Sequence, residues 1–489
     1  MATTARRVSG RLADQKVAVG IVFVLAMFMS IMDITIVNVA LPQLGRDLQV
    51  DATGVAAVAV GYLVSLAVVI PASGWLGDRF GGKRILLTAV VIFTVTSALC
   101  GLAQTLPELV AFRVLQGIGG GMLTPVGMAM LFRAFPPAER VRAASILIIP
   151  TALAPALGPV LGGVLVDSLS WRWVFFVNLP IGFFALGFGA LFLDEPGMPE
   201  AGRFDLRGFL LSGIGFAALM YGVSEGPQKG WESVTILTAI TIGVALIGLL
   251  IFTQLRTSAP LLNLRLFGDR LFRSTTAALF VSTAAFLGLL YLVALFFQDG
   301  LGLDALQSGL STFPEAVGVM AGAQVVSRVL YPRFGPRRVL VTGLTIVAVV
   351  MASMALISRR DQLWEMRGLM FVLGYAISHN FVPSQAAAFA RIPPADIGRA
   401  STMFNALRQL GGAVGVAILT SVITAVGVTH QVGGAAVANL HAYHVAFLVA
   451  AALALTGAAI GLTIHDQDAD ATRPRLVATR PEPNLETVP

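Results

Sequence analysis

Apolar runs of about twenty residues recur along this chain from Val17 to Ile464, separated by short polar loops. A helix needs roughly 20 such residues to cross a bilayer core, where lipid offers its backbone no partners and each helix must satisfy its own hydrogen bonds. The runs predict fourteen spans: Val17 to Leu41, Val55 to Leu76, Ile85 to Leu106, Leu109 to Phe132, Ala143 to Val166, Trp173 to Leu193, Gly208 to Ser224, Val234 to Phe252, Ser274 to Phe297, Leu306 to Val326, Val339 to Ser358, Gly368 to Ala390, Thr402 to Val428 and Ala442 to Ile464. With 56% hydrophobic and 12% charged residues, an ordinary soluble domain is excluded. The basic N-terminal "RRVSGRLADQK" precedes an apolar run too long for a signal peptide, so it introduces an uncleaved first span. A single cysteine, Cys100, rules out an intrachain disulfide or a cysteine metal cluster.

The net charge of +7 is scattered over short loops, which argues for topology rather than nucleic-acid binding. With the N-terminus inside, six of the 33 Lys and Arg fall outside (Arg46, Arg172, Lys229, Arg359, Arg360, Arg367) and two within spans (Arg113, Arg408). The other 25 are cytoplasmic, so the positive-inside rule favours cytoplasmic termini and an even number of spans. An internal repeat adds a constraint: "DRFGGKRILL" from Asp78 recurs as "PRFGPRRVLV" from Pro332, eight spans later. Two six-helix halves with two helices inserted between them account for that offset. The expected division is a cytoplasmic segment 1–16, a first bundle 17–193, the inserted pair 194–257, a second bundle 258–465 and a disordered tail 466–489. Duplicated halves around a central site are a transporter design.

Several motifs share one resemblance. "MDITIVNVALP" from Met32, "GWLGDRFGGKR" from Gly74, "RVLQGIGGG" from Arg113, "APALGPVLGG" from Ala154, "WRWVFFVNLPIG" from Trp171 and "RQLGGAVGVAI" from Arg408 together resemble the fourteen-helix drug:proton antiporter-2 family of the major facilitator superfamily. The resemblance implies an all-α membrane fold of two six-helix bundles plus two central helices, and export of drugs coupled to protons. Gly82 takes a place that is usually basic in that family, and Pro332 stands where the first loop copy has Asp78.

The residues carry their own argument. Asp33 lies about 22 Å along its helix from the cytoplasmic end, inside the hydrocarbon, where an ionised acid costs roughly 2.5 to 3.5 kcal/mol. Such a group can hold and release a proton as water access alternates, or be held by structural hydrogen bonds. Thr35 and Asn38 could line the same cavity. Arg113 sits near the start of the fourth span and would snorkel outward on simple grounds. The resemblance implies instead that it faces the cavity and affects proton transfer, with Gln116 one turn on. Glu315, after Pro314 in the tenth span, is a candidate second proton or cation site. His379 and Asn380 in the twelfth span, and Asn405, Arg408 and Gln409 on one face of the thirteenth, are candidate substrate contacts. Glu225 closes the seventh span at the outside, where solvation suffices.

Ala154, Gly158 and Gly162 recur every four residues, with Pro155, Pro159 and Gly163 among them. Their spacing predicts close helix approach and a bend. The resemblance implies a water-sealing contact between halves. Asp78 beside Arg79, Lys83 and Arg84 reads as a charged latch at the cytoplasmic mouth, or as a simple topogenic basic loop. The spacing Gly77 to Lys83 imitates a phosphate loop, but Arg84 occupies the Ser/Thr place and no strand precedes it. No metalloprotease, nucleophile-elbow or paired-carboxylate motif stands in a soluble segment, so no enzyme, cofactor or metal is expected.

The expected partners are the lipid bilayer, a small-molecule substrate and protons, in a monomer of a bacterial inner (plasma) membrane. A proton-coupled transporter dedicated to one metabolite or lipid, or a transport-inactive membrane scaffold or sensor, is the alternative.

Overall fold

Inside a bilayer the backbone bonds only to itself, and the apolar runs resolve as helices. A computed structural model describes residues 2–50, 52–195, 202–258, 260–432 and 435–473. In chain order the helices are α1 (Ala2–Asp47), α2 (Ala52–Phe80), α3 (Gly82–Leu102), α4 (Leu106–Ala134), α5 (Arg140–Ser168), α6 (Trp173–Phe176), α7 (Asn178–Phe192), α8 (Leu206–Lys229), α9 (Val234–Arg256), α10 (Arg270–Leu295), α11 (Ala305–Val325), α12 (Tyr331–Met354), α13 (Leu363–Ala388), α14 (Ile397–Val426) and α15 (Leu440–Gly461). Between α14 and α15 a short antiparallel hairpin pairs β1 (Thr429–Val432) with β2 (Ala435–Ala438), Thr429 opposite Ala438.

Among the described residues, eleven stretches are long and apolar enough to cross a membrane. One of them, Gln307–Met354, runs 48 residues through α11 and α12. The helices α5 and α13, on the expected fifth and twelfth spans, are not among the eleven. In α13 the cause is visible: His379, Asn380, Ser384 and Gln385 dilute its apolarity, yet all four are buried within protein.

Two groups of helices form. In the first, α1 packs on α5, α4 and α7, and α2 and α3 pack on α4. In the second, α10 packs on α14 and α15, α11 on α13, and α12 on α13 and α15. The groups meet where α2 and α4 touch α14, and where α5 touches α11 and α13. The helices α8 and α9 pack on each other, and α8 leans on both α2 and α14, across the seam.

The repeated loop is repeated in space. Helix breaks fall at Gly81 (φ 95°, ψ 137°) and at Gly335 (φ 76°, ψ 170°), a region that side chains avoid. Each break is capped by a carboxylate from beyond the last helix of its own group. Glu195, after α7, accepts from the amides of Lys83 (3.3 Å) and Arg84 (3.2 Å). Asp466, after α15, accepts from the amide of Arg337 (2.8 Å).

The ends differ from expectation. The helix α1 begins at Ala2, so the segment before residue 17 continues the first helix. Residues Asp466–Thr472, expected to be disordered, form a 3-10 turn. Arg270 donates to Asp468 at 2.5 and 3.0 Å, and Tyr331 bonds Thr472 at 2.6 Å. Those Arg270 bonds hold the Asp468 carboxyl below the usual carboxylate range. Residues 474–489 lie outside the described residues.

A Cβ at Gly335 would stand 2.6 Å from the Asp466 carboxylate as well as straining the backbone. Gly335→Ala should therefore destabilise the chain by about 1 to 3 kcal/mol. Thermal unfolding in detergent reads this, and a melting temperature equal to wild type would contradict it.

Candidate functional site

Asp33 is fully buried on α1, and three side chains converge on its carboxylate. Arg113 of α4 donates to Oδ2 at 2.5 Å. Gln116, one turn along α4, donates to Oδ1 at 2.9 Å, and Asn178, at the start of α7, donates to the same oxygen at 3.0 Å. Burying two charges costs several kcal/mol each, and it is tolerated only when geometry and further hydrogen bonds are good. Here they are. The Arg113 guanidinium also donates to Gln116 Oε1 (2.8 Å) and, through Nε, to the Val58 carbonyl (3.2 Å). It lies 4.3 Å over the Tyr62 ring, whose hydroxyl bonds Ser30 at 3.2 Å. Asn178 is fixed in turn by Ser97 (3.1 Å), which donates to the Phe175 carbonyl (2.8 Å). Arg113 thus points inward and does not snorkel.

The residues around Asp33 divide. Asn38 is exposed, five positions on and so about 140° round the helix from Asp33, and lies off this cluster. Thr35 faces α5, and its hydroxyl reaches the Ala154 carbonyl at 3.5 Å. The glycines of the "APALGPVLGG" motif seat this part of α1. A Cβ on Gly158 would strike Thr35, and one on Gly162 would stand 3.1 Å from Val39. Their close approach is therefore within the first group, not between halves as expected. Gly163 meets nothing within 4 Å, and the side chain of Pro159 lies outside the described ones.

Candidates in the second group do not join Asp33. Glu315 on α11 is 3% exposed and, among the described residues, makes no ion pair or side-chain hydrogen bond. Asn380 is satisfied by Ser282 (2.6 Å) and Ser384 (3.1 Å), tying α13 to α10. His379 donates through Nδ1 to the Tyr375 carbonyl at 2.9 Å and borders a groove on the flank, away from Asp33. Asn405 donates to the Ser401 carbonyl (2.9 Å) and lies 3.4 Å from the Met128 sulfur across the seam. Arg408 is partly buried, with Nε lacking a partner and, among the described residues, no ion pair.

The latch is wired differently from expectation. Asp78 pairs with Arg133 of α4 at 2.5 Å, and its carboxylate lies beside Gly398, in the first turn of α14. A carboxylate at a helix N-terminus is stabilised by about 0.3 to 1 kcal/mol. Arg79 and Arg84 are exposed without ion pairs among the described residues, while Lys83 donates to the Ala190 (3.1 Å) and Leu193 carbonyls at the end of α7. The basic neighbours in sequence are not the partners, because α2 ends there and turns them outward.

Around this acid the two groups close on each other. Ser73 and Thr402 hydroxyls are 3.4 Å apart, Ser401 donates to the Pro125 carbonyl (2.8 Å), and Arg140 donates to the Phe389 carbonyl. Phe132 stacks on Phe389 with ring centres 4.5 Å apart. Among the described residues, every side-chain hydrogen bond joining the first group to the second lies in this half of the molecule.

Asn178, Arg133 and Tyr62 were not foreseen. The asparagine stands in the quoted "WRWVFFVNLPIG", where one amide in an apolar run was the available clue. Arg133 looked like one more topogenic charge.

Comparison with known proteins bears on the fold and the family. A family model described as Major Facilitator Superfamily matches residues 23–416. "Multidrug resistance protein B homolog" of Mycobacterium tuberculosis is 34% identical over 410 residues, covering 82% of this chain and 75% of that protein. "Putative multidrug resistance protein MdtD" of Serratia proteamaculans is 32% identical over 455 residues, covering 93% and 94%. Among solved structures, the human organic anion transporter MFSD10 superposes with a TM-score of 0.66 at 16% identity, covering 91% of this chain and 99% of that one. The proton:xylose symporter XylE gives 0.61 at 16% identity, covering 91% and 95%.

The closed end predicts a cross-link. With Cys100→Ser in the background, the pair Ser73→Cys and Thr402→Cys should form a disulfide on mild oxidation, read by mobility after cleavage of a protease site placed between the halves. Adding Asp78→Asn should slow it several-fold, and an unchanged rate would show that the acid does not hold this end shut.

Proposed function

Because the chain belongs to the Major Facilitator Superfamily, it is a membrane transporter and not an enzyme, and we propose that it exports drugs or other lipophilic compounds in exchange for protons. The observation that carries the proposal is the buried Asp33–Arg113 pair. Removing one partner of a buried pair costs about 3 to 5 kcal/mol, because the other is left uncompensated. Protonating Asp33 removes that partner electrically, yet Arg113 keeps the Val58 carbonyl, Gln116 Oε1 and the Tyr62 face. The arginine is supported through the exchange, so Asp33 can act as a switch.

In this reading the bundles rock about a midplane site, and an external proton reaching Asp33 releases substrate outward. Deprotonation toward the cytoplasm restores affinity, with the membrane potential supplying about 2.3 kcal/mol per charge per 100 mV. Each of the fourteen predicted spans falls mainly on its own helix, α6 and α7 together carrying the sixth, which supports fourteen spans, and the placement of Lys and Arg supports cytoplasmic termini. The halves are then 17–193 and 258–465, with α8 and α9 inserted. The seam closed around Asp78 is the cytoplasmic one, which supports an outward-facing resting state in a bacterial inner membrane. Glu315, which makes no ion pair or side-chain hydrogen bond among the described residues, serves cation recognition. The multidrug-resistance names of the relatives support export over import.

The test is proton movement on substrate addition in proteoliposomes. Asp33→Asn keeps the size of the side chain and should abolish uphill transport and the proton response, leaving at most downhill exchange. Uphill transport with an unchanged proton response would remove Asp33 from the mechanism, and a silent wild type across a broad compound panel would favour a scaffold. Glu315→Gln should reduce transport of cationic compounds at least several-fold and spare neutral ones, as compared by initial efflux rates.

A further inference from the structure

A groove of about 760 Å³ opens on the outer flank of the second half, and the proton site does not use it. Its volume is in the range of small-ligand sites. The groove follows α12 from Arg337 and Arg338 past Thr342 to Ile346, about 14 Å at 1.5 Å per residue. Its mouth is charged and its depth is apolar. Both arginines are exposed, and among the described residues neither makes an ion pair. The carboxylate of Asp466, also at the rim, accepts from the Arg337 backbone amide, and among the described residues it makes no ion pair with either guanidinium. Phe334 (45% exposed) and Ile346 (41% exposed) present apolar surface along the wall. At the inner edge stands His379, 5% exposed, with Nδ1 committed to the Tyr375 carbonyl. It reaches there because Gly343 has no Cβ to block it.

A second groove offers a contrast. Along α1 and α5 it is also lined by basic and apolar residues, but its Lys16 is bound to Glu139 at 2.7 Å, which leaves Arg142 as a single exposed cation in its lining. Of these two grooves, the one along α12 presents two open cations at one end and an apolar channel running into the membrane. Basic pockets between spanning helices at a membrane interface recognise anionic headgroups.

We infer that this groove binds an anionic phospholipid from the leaflet on that side, its phosphate on Arg337 and Arg338 and one acyl chain along Phe334 and Ile346 toward His379. The inference rests on the chain lying in a membrane and not on proton coupling, so binding tests it whether or not Asp33 proves to be the coupling acid.

The full chain, purified in mild detergent, would be offered equimolar dioleoyl phosphatidylglycerol and dioleoyl phosphatidylcholine, and retained lipid counted by native mass spectrometry. Wild type should keep phosphatidylglycerol in preference. The double variant Arg337→Gln/Arg338→Gln should lose that preference by about an order of magnitude or more, as two charges at an anionic interface require. Arg337→Lys/Arg338→Lys should restore most of it, and Arg333→Gln, exposed nearby but outside the groove, should leave it intact. Thr342→Trp, which fills the channel without changing charge, should also lower retention. Melting temperatures separate loss of lipid from loss of fold, and the lysine pair decides the matter if the glutamine pair unfolds. Equal retention of the two lipids by wild type, or undiminished preference in both the glutamine pair and Thr342→Trp, would overturn the inference. So would displacement of phosphatidylglycerol by millimolar inorganic phosphate, which would make the site one for a soluble anion.

Discussion

Two opposite charges sit where neither could remain alone. Asp33 and Arg113 are both essentially without solvent contact, and the first helix group is arranged to keep them so. Five elements contribute: α1 the acid, α4 the arginine and Gln116, α2 the Tyr62 face and Val58 carbonyl, α3 Ser97, and α7 Asn178. A buried ion pair is weak evidence of stability, since an apolar pair of equal volume often does as well or better. Its persistence inside an otherwise apolar bundle is better explained by what a proton does to it.

The second constraint is the duplication. The seam contacts pair crosswise: α2 of the first half with α14 of the second, and α11 of the second with α5 of the first. By position in their halves these are the second helix against the fifth, twice. The two glycine breaks and the two capping acids, Glu195 and Asp466, obey the same symmetry. What breaks the symmetry is charge. The first loop carries Asp78, paired with Arg133 and set at the start of α14, while the second has Pro332 in its place. The first half sets a buried acid against the start of a helix of the opposite half at this end, and it also holds the buried pair.

Much of this was legible because lipid simplifies the problem. A helix in hydrocarbon must be long and apolar, so spans could be read from composition, and the internal repeat could be read as letters. Asp33 was legible for the same reason, as an expense in an apolar run. Partnership was not. Asp78 has Arg79 next to it in sequence and Arg133 in space, and nothing in the spacing distinguishes them. The glycine face of α5 was legible as a face, but the helix it meets is a matter of tertiary packing. The polarity of α13 carries the opposite lesson: His379, Asn380 and Gln385 were read as substrate contacts or left aside, yet Asn380 is satisfied within its own half. The acid Asp466 fell in a stretch whose composition resembles disorder, although it caps a membrane helix.

These pieces connect Asp33 to the seam by a short physical route. Thr35 lies two residues past the acid, packed on Gly158 with no room for a methyl group between them. A displacement of α1 at Asp33 must therefore move α5, because close-packed interiors do not absorb strain by local yielding. The helix α5 is in turn the first half's contact with α11 and α13, and its first residue, Arg140, holds the Phe389 carbonyl at the closed end. The motif expected to seal the halves against each other does its packing one layer further in. It clamps the helix that bears the acid to the helix that faces the opposite half, so a change at the pair reaches the seam through rigid packing.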